Sequence, residues 1–258
     1  MPSADAIRER LGATGWGPIE VVVSTGSTNA DVAARARAGA GPGLVLVARE
    51  QTAGRGRLDR SWVSPPGTSI SMSVLVRPRA PIEQWGWLPL LVGLAVSAAL
   101  RDLAPDPAAV ELKWPNDVLV AGRKVCGILA ERVETPTGPA AVVGIGINVA
   151  LTAEQLPVPT ATSLLLEGFA TDADAVVAGV LQHLTAHEER WQVPGWLRAE
   201  YEARCASVGA PLHLTVDAHR VVHGRGHGVD EWGRLQVATA AGVEAFAVGD
   251  VVHARLQR

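Results

Sequence analysis

The sequence predicts an α+β protein in two parts, a helix-flanked sheet over residues 1–207 and a small β-barrel over residues 208–258. Three observations support this reading. Apolar runs of strand length alternate with segments of helical period as far as residue 205. Composition shifts near Gly209. Beyond it, short alternating stretches at 212–216, 221–226, 235–238, 243–246 and 251–256 are separated by Gly and Asp turns at small-barrel spacing.

Taken in order, residues 1–17 read as a short amphipathic helix closed by Gly15 and Gly17, and residues 19–23 as a strand. The polar turn 24–29 can cap a helix over 30–38, with Asp31 in its first turn, and that helix stops at the glycine-rich 39–43. Residues 44–48 are an apolar run of the kind buried on both faces. The stretch 50–67 is rich in Gly, Arg and Pro, without periodicity, and reads as a functional loop or lid. Residues 69–76 alternate as a strand, with Ile70, Met72 and Val74 on one side. Residues 85–103 are helical, 113–129 read as strand, turn, strand, and 140–149 form another apolar strand. After a capped segment at Thr162-Ser163 come helices at 172–190 and 195–205. No internal repeat or low-complexity tract is evident.

The formal net charge is -3, from 23 basic and 26 acidic residues, so bulk electrostatics recruit neither nucleic acid nor anionic membrane. Two cysteines, Cys126 and Cys205, cannot make a disulfide framework and lack metal-ligand spacing. Residues 1–11 are charged and lack the apolar core of a signal peptide. The longest apolar run, 85–100, is broken by Gly86, Pro89, Gly93 and Ser97 and is expected to be too short to span a bilayer. A soluble, cytoplasmic protein is expected. Eight tryptophans against one tyrosine and two phenylalanines are expected to be core or lid residues.

Lys113-Trp114-Pro115-Asn116-Asp117, followed by Lys124 and Gly127, places two lysines, an amide and a carboxylate in an apolar neighbourhood. Burying that charge is costly unless it meets a partner, such as a polyanionic ligand with a metal ion. The alternative is a hairpin with solvated lysines and an Asn-Asp turn. Gln51-Thr52-Ala53-Gly54-Arg55-Gly56-Arg57, continuing to Arg60 and Trp62, is a second constellation. Its glycines let backbone amides converge on an anion, its arginines add bidentate donors, and Trp62 can stack on a flat ligand. A solvated basic loop is the alternative. Ser27-Thr28-Asn29 reads as a ligand contact or simply as a helix cap. In Gly144-Ile145-Gly146-Ile147-Asn148 two glycines thin a strand so that a ligand can lie on it, with Asn148 on a base edge; a β-bulge is the other reading. His213, His219, His223 and His227 lie in the strand-rich end, where i,i+4 spacing does not share a helix face, and are expected to be surface histidines.

In this order the motifs resemble the biotin protein ligases, from about residue 20 to 205 and on into the C-terminal cap. Lipoate ligases share the fold without this combination. The resemblance implies a mixed β-sheet flanked by helices, like the class II aminoacyl-tRNA synthetases, and an SH3-like C-terminal barrel. It also implies two half-reactions: biotin and ATP give biotinyl-5′-AMP and pyrophosphate, and a lysine of a biotin carboxyl carrier domain of an acyl-CoA carboxylase then attacks the anhydride. Lys124 and Arg57 are the implied catalytic residues. Ser27, Thr28, Asn29, Gln51, Gly54, Arg55, Lys124 and Gly127 are the implied biotin contacts. Arg57, Arg60, Trp62, Lys113, Asn116, Lys124 and Asn148 are the implied ATP and adenylate contacts, with Asp117 a ligand for Mg²⁺.

Two departures stand out. Lys124-Val125-Cys126-Gly127 replaces the family's usual Lys-Leu-Ala-Gly, which places Cys126 near the ligand and open to alkylation. Bifunctional members carry a winged helix-turn-helix domain ahead of the Ser-Thr-Asn motif, where residues 1–26 are too few for it. A monofunctional ligase with no sequence-specific DNA or membrane partner is therefore expected. A lipoate or octanoate ligase, a DNA-binding biotin sensor and a catalytically dead binding module are the rivals.

Overall fold

The computed structural model describes residues 2–253, apart from 59, 63, 64, 192 and 194. The last stretch expected as a strand, 251–256, therefore lies partly outside the described residues. Chain order begins α1 (Ala4–Leu11), β1 (Ile19–Val22), α2 (Thr28–Arg37), β2 (Val45–Ala48) and β3 (Ser69–Val76). A 3-10 turn, Ile82–Trp87, leads into α3 (Leu88–Leu103), followed by β4 (Val110–Lys113), β5 (Asp117–Val120), β6 (Arg123–Thr135) and β7 (Gly138–Asn148). Helices α4 (Ala173–Arg190) and α5 (Trp196–Glu202) precede β8 (Pro211–Thr215), β9 (Val221–Val229), β10 (Leu235–Thr239), β11 (Gly242–Phe246) and β12 (Asp250–His253).

Strands β1 to β7 form one mixed sheet in the order β1-β2-β3-β7-β6-β5-β4, parallel only between β1 and β2. Alternation along β3 sorts its side chains. Ile70, Met72 and Val74 join the cluster that holds α3 and α4, as expected. On the other face Ser73 meets α2, and Leu75 packs with Val32 and Ala36 of that helix. The serines of β3 thus line a polar face between α2 and the sheet.

Several boundaries differ from the sequence expectation for identifiable reasons. Helix α1 stops at Gly12, whose φ of 63° is left-handed, rather than at Gly15 or Gly17. Helix α2 starts two residues early because Ser27 is its cap, with its hydroxyl accepting from Ala30 N–H at 3.4 Å. The strand pair expected over 113–129 is three strands, and their charged turn belongs to the sheet edge. The segment Ile82–Leu103 is long and apolar enough to cross a membrane, contrary to the expectation from its interruptions. It is nevertheless a core helix, packed between the sheet and α4 and buried along most of its length.

The second sheet, ordered β11-β10-β9-β8-β12, is the SH3-like module. Tryptophans stitch it to the first. Trp87 Nε1 donates to Glu231 O and Trp114 Nε1 to Gly233 O, both at 3.0 Å. Gly86 and Gly233 let the two backbones approach there, since a Cβ at Gly86 would stand 2.5 Å from Trp232 O. This seam carries β12 to the mouth of the polar face of the main sheet.

Candidate active site

A cavity of about 130 Å³ opens on that polar face, walled by the start of α2, the Gly-Arg loop, β3, β5, β6, β7 and Asp250 of β12. Ser27, Thr28, Asn29, Gln51, Arg55, Arg57, Arg60, Trp62, Asn116, Asp117, Lys124 and Gly127 all line it. Gly54, Lys113 and Asn148 stand outside the lining.

One end is lined by hydroxyl and amide groups, with a single charge-balanced ion pair beside them. Gln51 Oε1 accepts from the Thr28 N–H at 2.8 Å and from its hydroxyl at 3.0 Å, which leaves the Gln51 amide nitrogen to face elsewhere. Ser73 Oγ lies 2.7 Å from both Thr28 Oγ1 and Asn29 Oδ1. Asn29 Nδ2 donates to Leu129 O at 3.2 Å and to Glu131 at 2.7 Å, so all of its polar atoms meet protein groups. Arg55 donates to the same Glu131 oxygen at 2.9 Å. Ser27 both caps α2 and faces the cavity.

The other end is cationic. Lys124 Nζ lies 2.6 Å from Asp117 Oδ1 and Lys113 Nζ 3.9 Å from Oδ2. Asp117 is 15% exposed and the lysines 25% and 35%, which excludes the hairpin with freely solvated charges. Lys124 is fixed from behind, its N–H donating to Thr160 O and its carbonyl accepting from Thr162 N–H, both at 2.8 Å. Asn116 Nδ2 donates to Ile128 O at 2.7 Å, and its Oδ1 accepts from Arg57 at 3.3 Å. Arg57 also donates to Gly249 O at 3.4 Å, and Arg60 pairs with Asp250.

The titration of these groups follows their surroundings. Burial lowers the Arg57 pKa, against the pull of Asp250 and Asp117. The hydrogen bond to Asp250 raises that of Arg60. At Asp250 burial opposes ionisation, but Arg60, Lys113 and Arg57 outweigh it and hold the carboxyl below its usual value. The basic loop is thus tied at three points, to Glu131, Asn116 and β12. Sequence reasoning named neither Glu131 nor Asp250. Asp250 lies 190 positions from Arg60, and nothing in its Gly249-Asp250 context marks it.

Between the two ends stands Trp62. Its N–H donates to Gly54 O at 2.9 Å. Its indole covers Gly127 and Gly146, where added Cβ atoms would fall 3.0 Å from Cζ3 and 2.7 Å from Cζ2. Its Nε1 is buried without an acceptor among the described residues. The glycines of β7 do thin the strand, and the register with β3 and β6 runs through them without a bulge. The surface they clear is covered by Trp62 and, at Gly144, by Asn29. Asn148 is buried farther along β7, with Nδ2 donating to Thr162 O at 2.9 Å. Cys126 is not beside the cavity as expected. It points to the opposite face of β6, fully buried in the core, and burial raises its pKa, so the thiol is shielded from alkylation.

A profile of the Biotin/lipoate A/B protein ligase family matches residues 24–148. Over 257 residues the chain is 40% identical to the biotin–(acetyl-CoA-carboxylase) ligase of Mycobacterium tuberculosis, spanning 97% of this chain and 95% of that one. The chain belongs to the biotin protein ligase family. Among solved biotin protein ligases, that of Aquifex aeolicus in complex with biotin and ATP superposes with a TM-score of 0.78 at 27% identity, covering 93% of this chain and all of that one. That of Leishmania major in complex with biotinyl-5-AMP superposes with a TM-score of 0.61 at 27% identity, covering 88% and 98%. The mixed sheet with an SH3-like cap is therefore the fold of the family, as the motifs implied.

Proposed function

We propose that this chain activates biotin with ATP and transfers it to a lysine of a biotin carboxyl carrier domain of an acyl-CoA carboxylase. The observation that carries this is the polarity of the cavity. Hydroxyl and amide groups, with the charge-balanced Arg55–Glu131 pair, gather at one end, and at the other Lys124, Arg57 and Arg60 outnumber the carboxylates of Asp117 and Asp250. That suits a ligand with a ureido group at one tip and a carboxylate at the opposite tip.

In the first step a carboxylate oxygen of biotin attacks the α-phosphorus, the P–O bond to the leaving group breaks, and pyrophosphate departs. Negative charge accumulates, so cations held in place beforehand lower the barrier. Lys124 and Arg57 take that role. Ser27, Thr28, Asn29, Gln51 and the backbone of Gly54, Arg55 and Gly127 shape the ureido end. Arg60 and Asn116 line the phosphate end and Trp62 the adenine side, while Lys113 and Asn148, outside the lining, support the site through Asp117 and Thr162. In the second step the neutral amine of the carrier lysine attacks the acyl carbon, the acyl–oxygen bond breaks, AMP leaves, and the amine loses a proton.

Magnesium enters with the nucleotide. No cluster of three His, Cys, Asp or Glu side chains capable of holding a metal occurs among the described residues. The cavity does present the carboxylates of Asp117 and Asp250. One carboxylate together with phosphate oxygens and water is an ordinary Mg²⁺ environment, so the donor set fits. Bound there, the ion would offset phosphate charge. A cytoplasmic location accords with the carrier substrate.

The test is to mix the protein with biotin, Mg-ATP and a carrier domain and to weigh the carrier. A gain of one biotin, absent when lipoate or octanoate replaces it, is expected. An unmodified carrier, despite folded protein, would remove the proposal.

A further inference from the structure

We propose that His213 of β8 and His223 of β9 form a binding site for a divalent transition-metal ion on the outer face of the C-terminal sheet. The site is separate from the ligase cavity and rests on none of the proposed chemistry there. Strand register places the two residues directly opposite each other, His213 against His223, within an unbroken five-pair ladder. Their ring centroids lie 4.4 Å apart, with planes inclined by 64°. Both side chains are exposed, and neither ring nitrogen is engaged by a protein group among the described residues. The sequence spacing of ten residues conceals this pairing. Folding β8 back on β9 creates it.

The geometry suits a bidentate clamp. Zinc–imidazole bonds of about 2.0–2.1 Å at a tetrahedral angle require nitrogens roughly 3.3 Å apart, a separation that rings this close reach by small rotations. Imidazole nitrogens select zinc, nickel and copper, while magnesium and calcium prefer oxygen donors. Two protein ligands leave the remaining positions to water, so the ion exchanges readily and does not organise the fold. The backbone beneath is fixed on both sides, since His213 also faces Val252 of β12 across the β8–β12 ladder. His219 and His227 are exposed but take no part in the pair.

The experiment is titration of metal-free full-length protein with ZnCl₂ and NiCl₂ by calorimetry, with thermal unfolding read in parallel. One ion per chain is expected. His213→Ala and His223→Ala should each weaken binding by at least the roughly tenfold that losing even a supporting residue of a metal site costs. His219→Ala should bind as the wild type does, and MgCl₂ should produce no heat. The rise in Tm with zinc should vanish in the His213→Ala, His223→Ala double variant, because an ion stabilises only the state that binds it. Both side chains are exposed, so circular dichroism of the variants should match the wild type. Should the double variant bind zinc as tightly as the wild type, the pair is not the site. Wild-type protein that takes up no ion overturns the proposal equally.

Discussion

Replacing Lys124 with methionine keeps most of the stem volume and removes the ammonium. In the ligand-free protein that ammonium lies 2.6 Å from Asp117, and the Lys124 backbone that carries it is fixed by hydrogen bonds to Thr160 and Thr162. A unit cation about 4 Å from a phosphoryl oxygen, at an effective dielectric near 20, contributes about 4 kcal/mol. Losing one preorganised donor to a developing anion costs about 2.7–4 kcal/mol, or roughly 10²–10³ in rate. The two figures agree, so adenylation by Lys124→Met should fall by about 10²–10³-fold. Stability should change little. Lys124 is 35% exposed, and after solvent screening its pair with Asp117 is worth at most about 1 kcal/mol. The assay is biotin-dependent pyrophosphate release, with thermal unfolding confirming the fold. A folded variant that releases pyrophosphate within tenfold of wild type refutes the role of Lys124.

Other expectations follow from the same contacts. Arg57→Gly removes the ties to Asn116 and Gly249 and adds backbone freedom. Compared with wild type at equal adenylate turnover, it should leak adenylate and biotinylate a bystander such as serum albumin, and Asp250→Asn should do so more weakly; labelling at the wild-type level in both would show that the loop is not latched there. Gly146→Ala drives a methyl into the Trp62 indole and should destabilise by about 1–3 kcal/mol. That penalty should shrink in a Trp62→Ala background, and an unchanged one would place the strain elsewhere. Cys126 and Cys205 are buried with raised pKa values, so a thiol-exchange dye should titrate no thiol in native protein and both in guanidinium. For His187, burial is the main cause of a lowered pKa, against the opposing pull of Glu200. The unfolded chain therefore binds the proton more readily, and the stability His187 contributes is present above about pH 6.5 and lost as pH falls toward the folded pKa. The Tm of wild type should drop more between pH 7.5 and 5.5 than that of His187→Gln, and equal drops would discard His187 as the cause.

The sequence by itself determined the local elements and the chemical inventory of the cavity. Short-range rules suffice there: apolar period sets β2, β3 and α3, Ser27 caps its own helix, and a run of Gly and Arg cannot bury itself. It also marked both lysines of the Lys113–Lys124 segment, because charge in an apolar neighbourhood must find a partner. Only the tertiary structure decided which partners those are. Sheet order brings β6 beside β7, so that Gly127 and Gly146 become adjacent floor tiles under Trp62. Alternation along β6 turns Cys126 into the core and Gly127 to the cavity, and a β-bulge at Val125, where Val118 pairs with Cys126 and Leu119 with Lys124, brings Lys124 to the cavity side as well. Packing of the second sheet against Trp87 and Trp114 delivers Asp250 to Arg60, and pairing of β8 with β9 within that sheet sets His213 against His223. Such contacts join residues far apart in sequence, and their energies depend on distance and burial, which no local pattern of residues encodes.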